Sequence, residues 1–152
     1  MKRASIPLPV LLLGFGGLLP SAALAGLSFV DNPATHSIAF WGLVYGMLIL
    51  TFLGGAWWAM ASRWAPNRLP VGVLIVSVLP SLLSFALLVM LFSFAALSPA
   101  IAGGIVGGAI LLSPLVDRWI AARGHAPNWW MALRIPLSIG LGLLTIACGL
   151  LA

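Results

Sequence analysis

At positions 37–61 the chain reads SIAFWGLVYGMLILTFLGGAWWAMA, with no acidic or basic side chain from one end to the other. About 20 consecutive apolar residues, rising 1.5 Å each, are enough for a helix to cross the hydrocarbon layer of a bilayer. The segment therefore reads as a membrane span. Four more predominantly apolar stretches lie at 6–30, 70–94, 99–115 and 130–151, the last of them holding Arg134. The expected architecture is all-α, a five-helix transmembrane bundle in one membrane domain over 1–152.

Composition agrees. Of the 152 residues, 62% are hydrophobic and 6% charged, against about 25% charged in a soluble domain. Such a chain could not cover a water-facing surface without large apolar patches. The net charge of +5 does not indicate nucleic-acid binding, because the basic residues form no dense stripe. They act as topology signals instead. Lys2 and Arg3 precede the first span, Arg63 and Arg68 separate the second from the third, and Arg118, Arg123 and Arg134 surround the link between the fourth and fifth. With five crossings all of these fall on one side. The opposite loops, around Asp31–His36 and Ala95–Ser98, hold no lysine or arginine. The bias predicts an inside amino terminus and an outside carboxyl terminus.

The connections carry turn and capping signals. Asp31-Asn32-Pro33 reads as a turn. Ser98-Pro99 combines an N-cap residue with proline at the first helical position, and Pro127-Asn128 offers a similar start. Six of the seven tryptophans, Trp57, Trp58, Trp64, Trp119, Trp129 and Trp130, gather toward the basic side, with Trp41 at the other. Headgroup anchoring explains this most simply; a tryptophan-lined pocket is the sharper alternative. One ambiguity concerns the first segment. Its basic start and its Ala23-Leu24-Ala25 end resemble a cleavable signal, while its length and Pro7, Pro9 and Pro20 speak for a retained helix.

Helices in lipid associate through close packing and polar contacts. Gly42, Gly46, Gly54 and Gly55 in the second span, Gly103 with Gly107 and Gly104 with Gly108 in the fourth, and Gly17, Ser21 and Ala25 in the first are the expected small-residue contacts. They would serve packing within the bundle or, in the fourth span, a homodimer seam. Ser77, Ser81 and Ser84, beside Pro80, share one helical face at their spacings. That face either packs or lines a small polar site. Arg134 lies about one turn inside the fifth apolar stretch, where a cation costs up to roughly 2.5–3.5 kcal/mol. It either snorkels, pairs with Asp117, or binds an anionic group. Candidate ligand contacts are accordingly Arg134, Asp117, Trp57, Trp58, Tyr45, Ser77 and Ser81.

Catalytic chemistry finds little support. The chain has no glutamate, and Asp31 and Asp117 fall on opposite sides. His36 and His125 are likewise separated, and Cys148 stands alone in an apolar run. No grouping has metal-ligand spacing, so no cofactor or metal is expected and no enzyme activity is assigned. Three roles fit: an accessory or structural component of the membrane, with the bilayer and another membrane protein or a second copy as partners; a tryptophan-rich binder or carrier of a small hydrophobic or anionic ligand, like the translocator proteins in architecture only; or a small transporter or channel.

Four stretches resemble the family called domain of unknown function 3429, the transmembrane protein 69-like membrane proteins. They are Leu12–Pro20 (LLGFGGLLP), Tyr45–Trp58 (YGMLILTFLGGAWW), Ser77–Leu83 (SVLPSLL), and Asp117-Arg118 with Trp130–Arg134. Relatives often carry histidine where Trp57 stands and glycine where Ala59 stands, so no histidine-based role carries over. The resemblance implies that the first segment remains a helix and that the setting is a bacterial inner membrane or a mitochondrion. It implies no activity.

Overall fold

The computed structural model describes residues 5–30, 34–64, 70–93 and 97–152. Lys2, Arg3, the Asp31–Pro33 turn, Arg68 and Ala95 lie outside the described residues. Six helices are present among the described residues: α1 (Leu8–Gly16), α2 (Leu19–Leu27), α3 (Thr35–Ala61), α4 (Val71–Phe92), α5 (Pro99–Ala122) and α6 (Trp130–Leu151). No strand occurs among the described residues. Taken together, α1 and α2 form one apolar unit, Leu8–Leu27, and with α3 to α6 give five segments long and apolar enough to span a bilayer.

The first span is broken, not continuous. Gly17 and Leu18 form a turn between α1 and α2, and Pro20 follows at the second helical position of α2. Proline has no N–H to continue the ladder and tolerates a helix start. The Tyr45 hydroxyl, on α3, donates to the Gly17 carbonyl across the break at 2.8 Å. Ser98 caps α5 as expected, its hydroxyl accepting from the Ile101 N–H at 3.4 Å, with Pro99 opening the helix.

The largest departure from the sequence reading is the length of α5. It continues past Pro114 to Ala122, so Asp117 and Arg118 are helical and not part of a loop. Gly124, at φ +76°, then ends the run, a left-handed residue just beyond the helix that glycine occupies without a Cβ clash.

Helix directions follow from the close approaches. A Cβ added at Gly46 would lie 2.5 Å from Thr145, at Gly103 2.8 Å from the Gly149 Cα, and at Gly107 2.6 Å from the Gly142 carbonyl. A Cβ at Gly42 would collide with the Cys148 Sγ, and one at Gly54 with the Ser77 carbonyl. Rising numbers in α3 and α5 thus meet falling numbers in α6, and α3 runs against α4. Span one runs with α6, because Gly14 faces Leu133 and Leu137 while Gly140 faces Leu18. The contact glycines are those that let backbones meet, the usual route to association in lipid. Gly55 is not one of them. It lies about 100° around the helix from Gly54, and a Cβ there would meet nothing within 4 Å; Gly104 and Gly108 face open space in the same way.

Between these contacts the centre is apolar. Leu43, Met47, Leu50, Leu87, Ala102, Val106, Ile110 and Leu141 form one buried cluster, and Leu53, Trp57, Ala61, Val73 and Ile120 a second.

Candidate functional site

Asp117 is the starting point, because a carboxylate with 0% exposure must be compensated by neighbours. It sits about 7 Å from the end of α5 at the standard helical rise. Three donors converge on it. The Trp57 Nε1–H, from the last turns of α3, and the Trp130 Nε1–H, from the first turn of α6, both donate to Oδ1 at 3.0 Å. Arg134 Nε donates to Oδ2 at 2.8 Å and forms an ion pair with it. The Arg134 guanidinium also lies 5.9 Å from the Trp130 ring centroid, within cation–π range.

The arrangement continues toward the middle of the bundle. Pro114 lacks the N–H that would serve the Ile110 carbonyl. The neighbouring Ser113 hydroxyl supplies that bond instead, donating to Ile110 O at 2.7 Å. Its hydrogen being spent there, the Ser113 oxygen accepts from Arg134 Nη2 at 2.9 Å. It follows that in the 3.2 Å contact between the hydroxyls of Ser113 and Ser138, Ser138 is the donor. One chain of hydrogen bonds thus ties α3, α5 and α6 together.

This placement sorts the candidate residues. Arg134, Asp117 and Trp57 come together. Trp57 uses its indole N–H on a carboxylate inside the bundle rather than at a headgroup. Trp58, one residue on, is half exposed on the outer face. Tyr45 lies elsewhere, at the break in span one. Ser77 is buried but bonds within its own helix, to Leu74 O at 2.7 Å. Ser81 is exposed, unlike Ser77 and Ser84. The reason is that α4 packs chiefly on α3, so its buried stripe is narrow and runs through Ser77, Pro80, Ser84 and Leu87. Ser84 reaches across to the Met47 carbonyl at 3.2 Å. The sequence reading missed Trp130, Ser113 and Ser138 as partners. Their signal was spacing: Ser113 and Asp117 are four apart, as are Trp130, Arg134 and Ser138, so each set lines one helix face.

Beside Arg134 lies a cavity of about 290 Å³, bounded by span one, α3, α5 and α6 and partly open to the outside. Its lining is apolar apart from Arg134 and Ser138. Outside the cluster, at the same end of the bundle, rings stack. Trp64 lies parallel to Trp119 at 5.8 Å and against His125 at 4.0 Å, and Arg123 covers the other flank of the assembly, 3.6 Å from the Trp119 centroid. Arg63, Arg118, Arg123 and Arg134, the described arginines, all belong to this end. Among the described residues, no group of three or more His, Cys, Asp or Glu side chains is placed to hold a metal.

The family model described as "Protein of unknown function (DUF3429)" matches residues 6–150, which reaches into every helix above. The chain belongs to the DUF3429 family. It is also similar to transmembrane protein 69 of Mus musculus, at 33% identity over 141 residues. That match covers 88% of this chain and 55% of the mouse protein, so the chain spans about half the length of that relative. No solved structure matches. As a DUF3429 member with five spanning segments, it is a polytopic membrane protein in contact with lipid. The Asp117-Arg118 and Trp130–Arg134 stretches that carry the resemblance contribute three of the joined side chains, Asp117, Trp130 and Arg134.

Proposed function

We propose that the protein is a non-catalytic structural or accessory component of a bacterial inner membrane, built as one domain with its amino terminus in the cytoplasm. The observation that carries this reading is where the charge goes. The buried carboxylate is spent on Arg134 and on the two indoles, Trp57 and Trp130, so that one ion pair locks α3, α5 and α6. Buried ionisable groups in spans otherwise mark pathways and relays. Here the polar chain stops at Ser138, and beyond it the centre is filled by Leu43, Met47, Val106 and Ile110, which gives a transporter or channel reading no support. Gly104 and Gly108 leave open space over the outer face of α5, where a neighbouring helix could approach closely. The arginine bias toward one end supports the orientation.

The test is blue-native electrophoresis of mildly solubilised membranes carrying the tagged protein. An accessory component migrates with a larger assembly whose abundance falls when the chain is removed. Migration as a free small species, with every membrane complex unchanged by its loss, would refute the proposal.

A further inference from the structure

Arg134 has five N–H donors and 6% exposure. Two of those donors are used, one on Asp117 and one on Ser113. The remaining three, including both on Nη1, meet no hydrogen-bond partner among the described residues. In hydrocarbon such donors are costly to leave unpaired. The same side chain lines the cavity of about 290 Å³, and Ser138 is its other polar contributor. The volume holds roughly ten water-sized groups, which is room for a ring or a length of acyl chain.

Charge decides what fits. The Arg134 cation is already balanced by Asp117 at 2.8 Å. An anion entering the cavity would leave a net negative charge in a low-dielectric site, which is strongly opposed. A neutral acceptor would take the spare N–H groups without that cost. We propose that the cavity binds an uncharged, lipid-soluble molecule through a carbonyl oxygen that accepts from the guanidinium of Arg134, with its apolar body against Gly14, Leu18, Leu53 and Leu141. Of the two ligand classes expected from the sequence, hydrophobic or anionic, this selects the uncharged one.

Access is laterally from the bilayer. The outward rim of the cavity is formed by Leu13 of span one and Phe52 of α3, both largely exposed. There α1 buries no residue and packs mainly on α6, and the chain is already broken at Gly17. The cavity is already partly open, so the Asp117 cluster need not move for a ligand to enter.

Two membrane constituents carry this chemistry: the ring carbonyl of a prenylated quinone and the ester carbonyl of a glycerolipid. The purified protein in nanodiscs would be given, separately, decylubiquinone and dioleoylphosphatidylcholine labelled with carbon-13 at the carbonyl. Infrared difference spectra would be recorded for the native chain, for Leu137→Trp, which fills the cavity and leaves the polar cluster intact, and for Ile139→Trp on the outer face of α6. A carbonyl band displaced to lower wavenumber, lost in Leu137→Trp and kept in Ile139→Trp, supports the proposal and names the source by the probe that shows it. Absence of a displaced band with both probes overturns it, as does a band unaffected by Leu137→Trp. Labelled oleate is the counter-probe: a displaced carboxylate band with oleate alone overturns the claim that the ligand is uncharged.

Discussion

Replacing Asp117 by asparagine keeps the shape of the side chain and removes its charge. Arg134 then becomes a cation with 6% exposure and no counter-charge. Breaking a buried pair from one side costs about 3–5 kcal/mol in soluble proteins. Insertion scales place an uncompensated arginine at mid-span at roughly 2.5–3.5 kcal/mol. Arg134 lies only about 6 Å from the start of α6 and gains some relief by reaching toward the interface. The two indole N–H groups still find an amide oxygen. The lower end of the range therefore applies, about 3 kcal/mol, or roughly two decades in the folding equilibrium. The assay is unfolding in mixed micelles titrated with dodecyl sulfate, followed by tryptophan emission. Adding Arg134→Met to Asp117→Asn removes both charges and should recover at least half of the loss, because a buried pair replaced by apolar side chains is often neutral. A single variant within about 0.5 kcal/mol of the native protein would refute the reasoning. So would a double variant whose loss equals the sum of its parts.

Neighbouring glycines give a second contrast. Gly107→Ala would place a methyl 2.6 Å from the Gly142 carbonyl and should cost about 1–3 kcal/mol, whereas Gly108→Ala meets open space and should stabilise α5 by up to ~1 kcal/mol; thermal denaturation of both checks the order. Tyr45→Phe removes the bond across the break in span one, so deuterium exchange around Gly17 should rise while global stability falls by about 0.6 kcal/mol, typical of interhelical hydrogen bonds in lipid. For orientation, Ser62→Cys and Gly124→Cys should react with an impermeant maleimide only in inside-out vesicles, and His36→Cys only in right-side-out ones; reaction of Ser62→Cys and His36→Cys in the same preparation would exclude the assigned topology.

The number of spans is legible because lipid imposes length and apolarity on every crossing, and the described arginines gather at one end of the bundle. The end of α5 is not. Asp117-Arg118 was read as the close of an apolar run, since charge normally marks water. Inside the bundle Asp117 instead faces two indoles and a guanidinium, so its charge no longer ends the span. Trp57 carries two readings in the sequence, a headgroup anchor or a site residue, for a related reason. Composition places tryptophan at the interface, and only the tertiary fold shows that its N–H is directed inward. Ser81 failed because a shared helical face extends further than a single neighbouring helix can cover. Gly55 and Gly54 were indistinguishable as residue types, and only the direction of α4 separates them.

The bond from Tyr45 to Gly17 also has a consequence for biogenesis. Its two ends are 28 residues apart, and the acceptor leaves the ribosome first. Until the following segment has been delivered to the bilayer, the interrupted leading segment lacks the hydroxyl that seals its gap. These two crossings therefore reach their finished form as a pair, the earlier one completed only when the later supplies its hydroxyl.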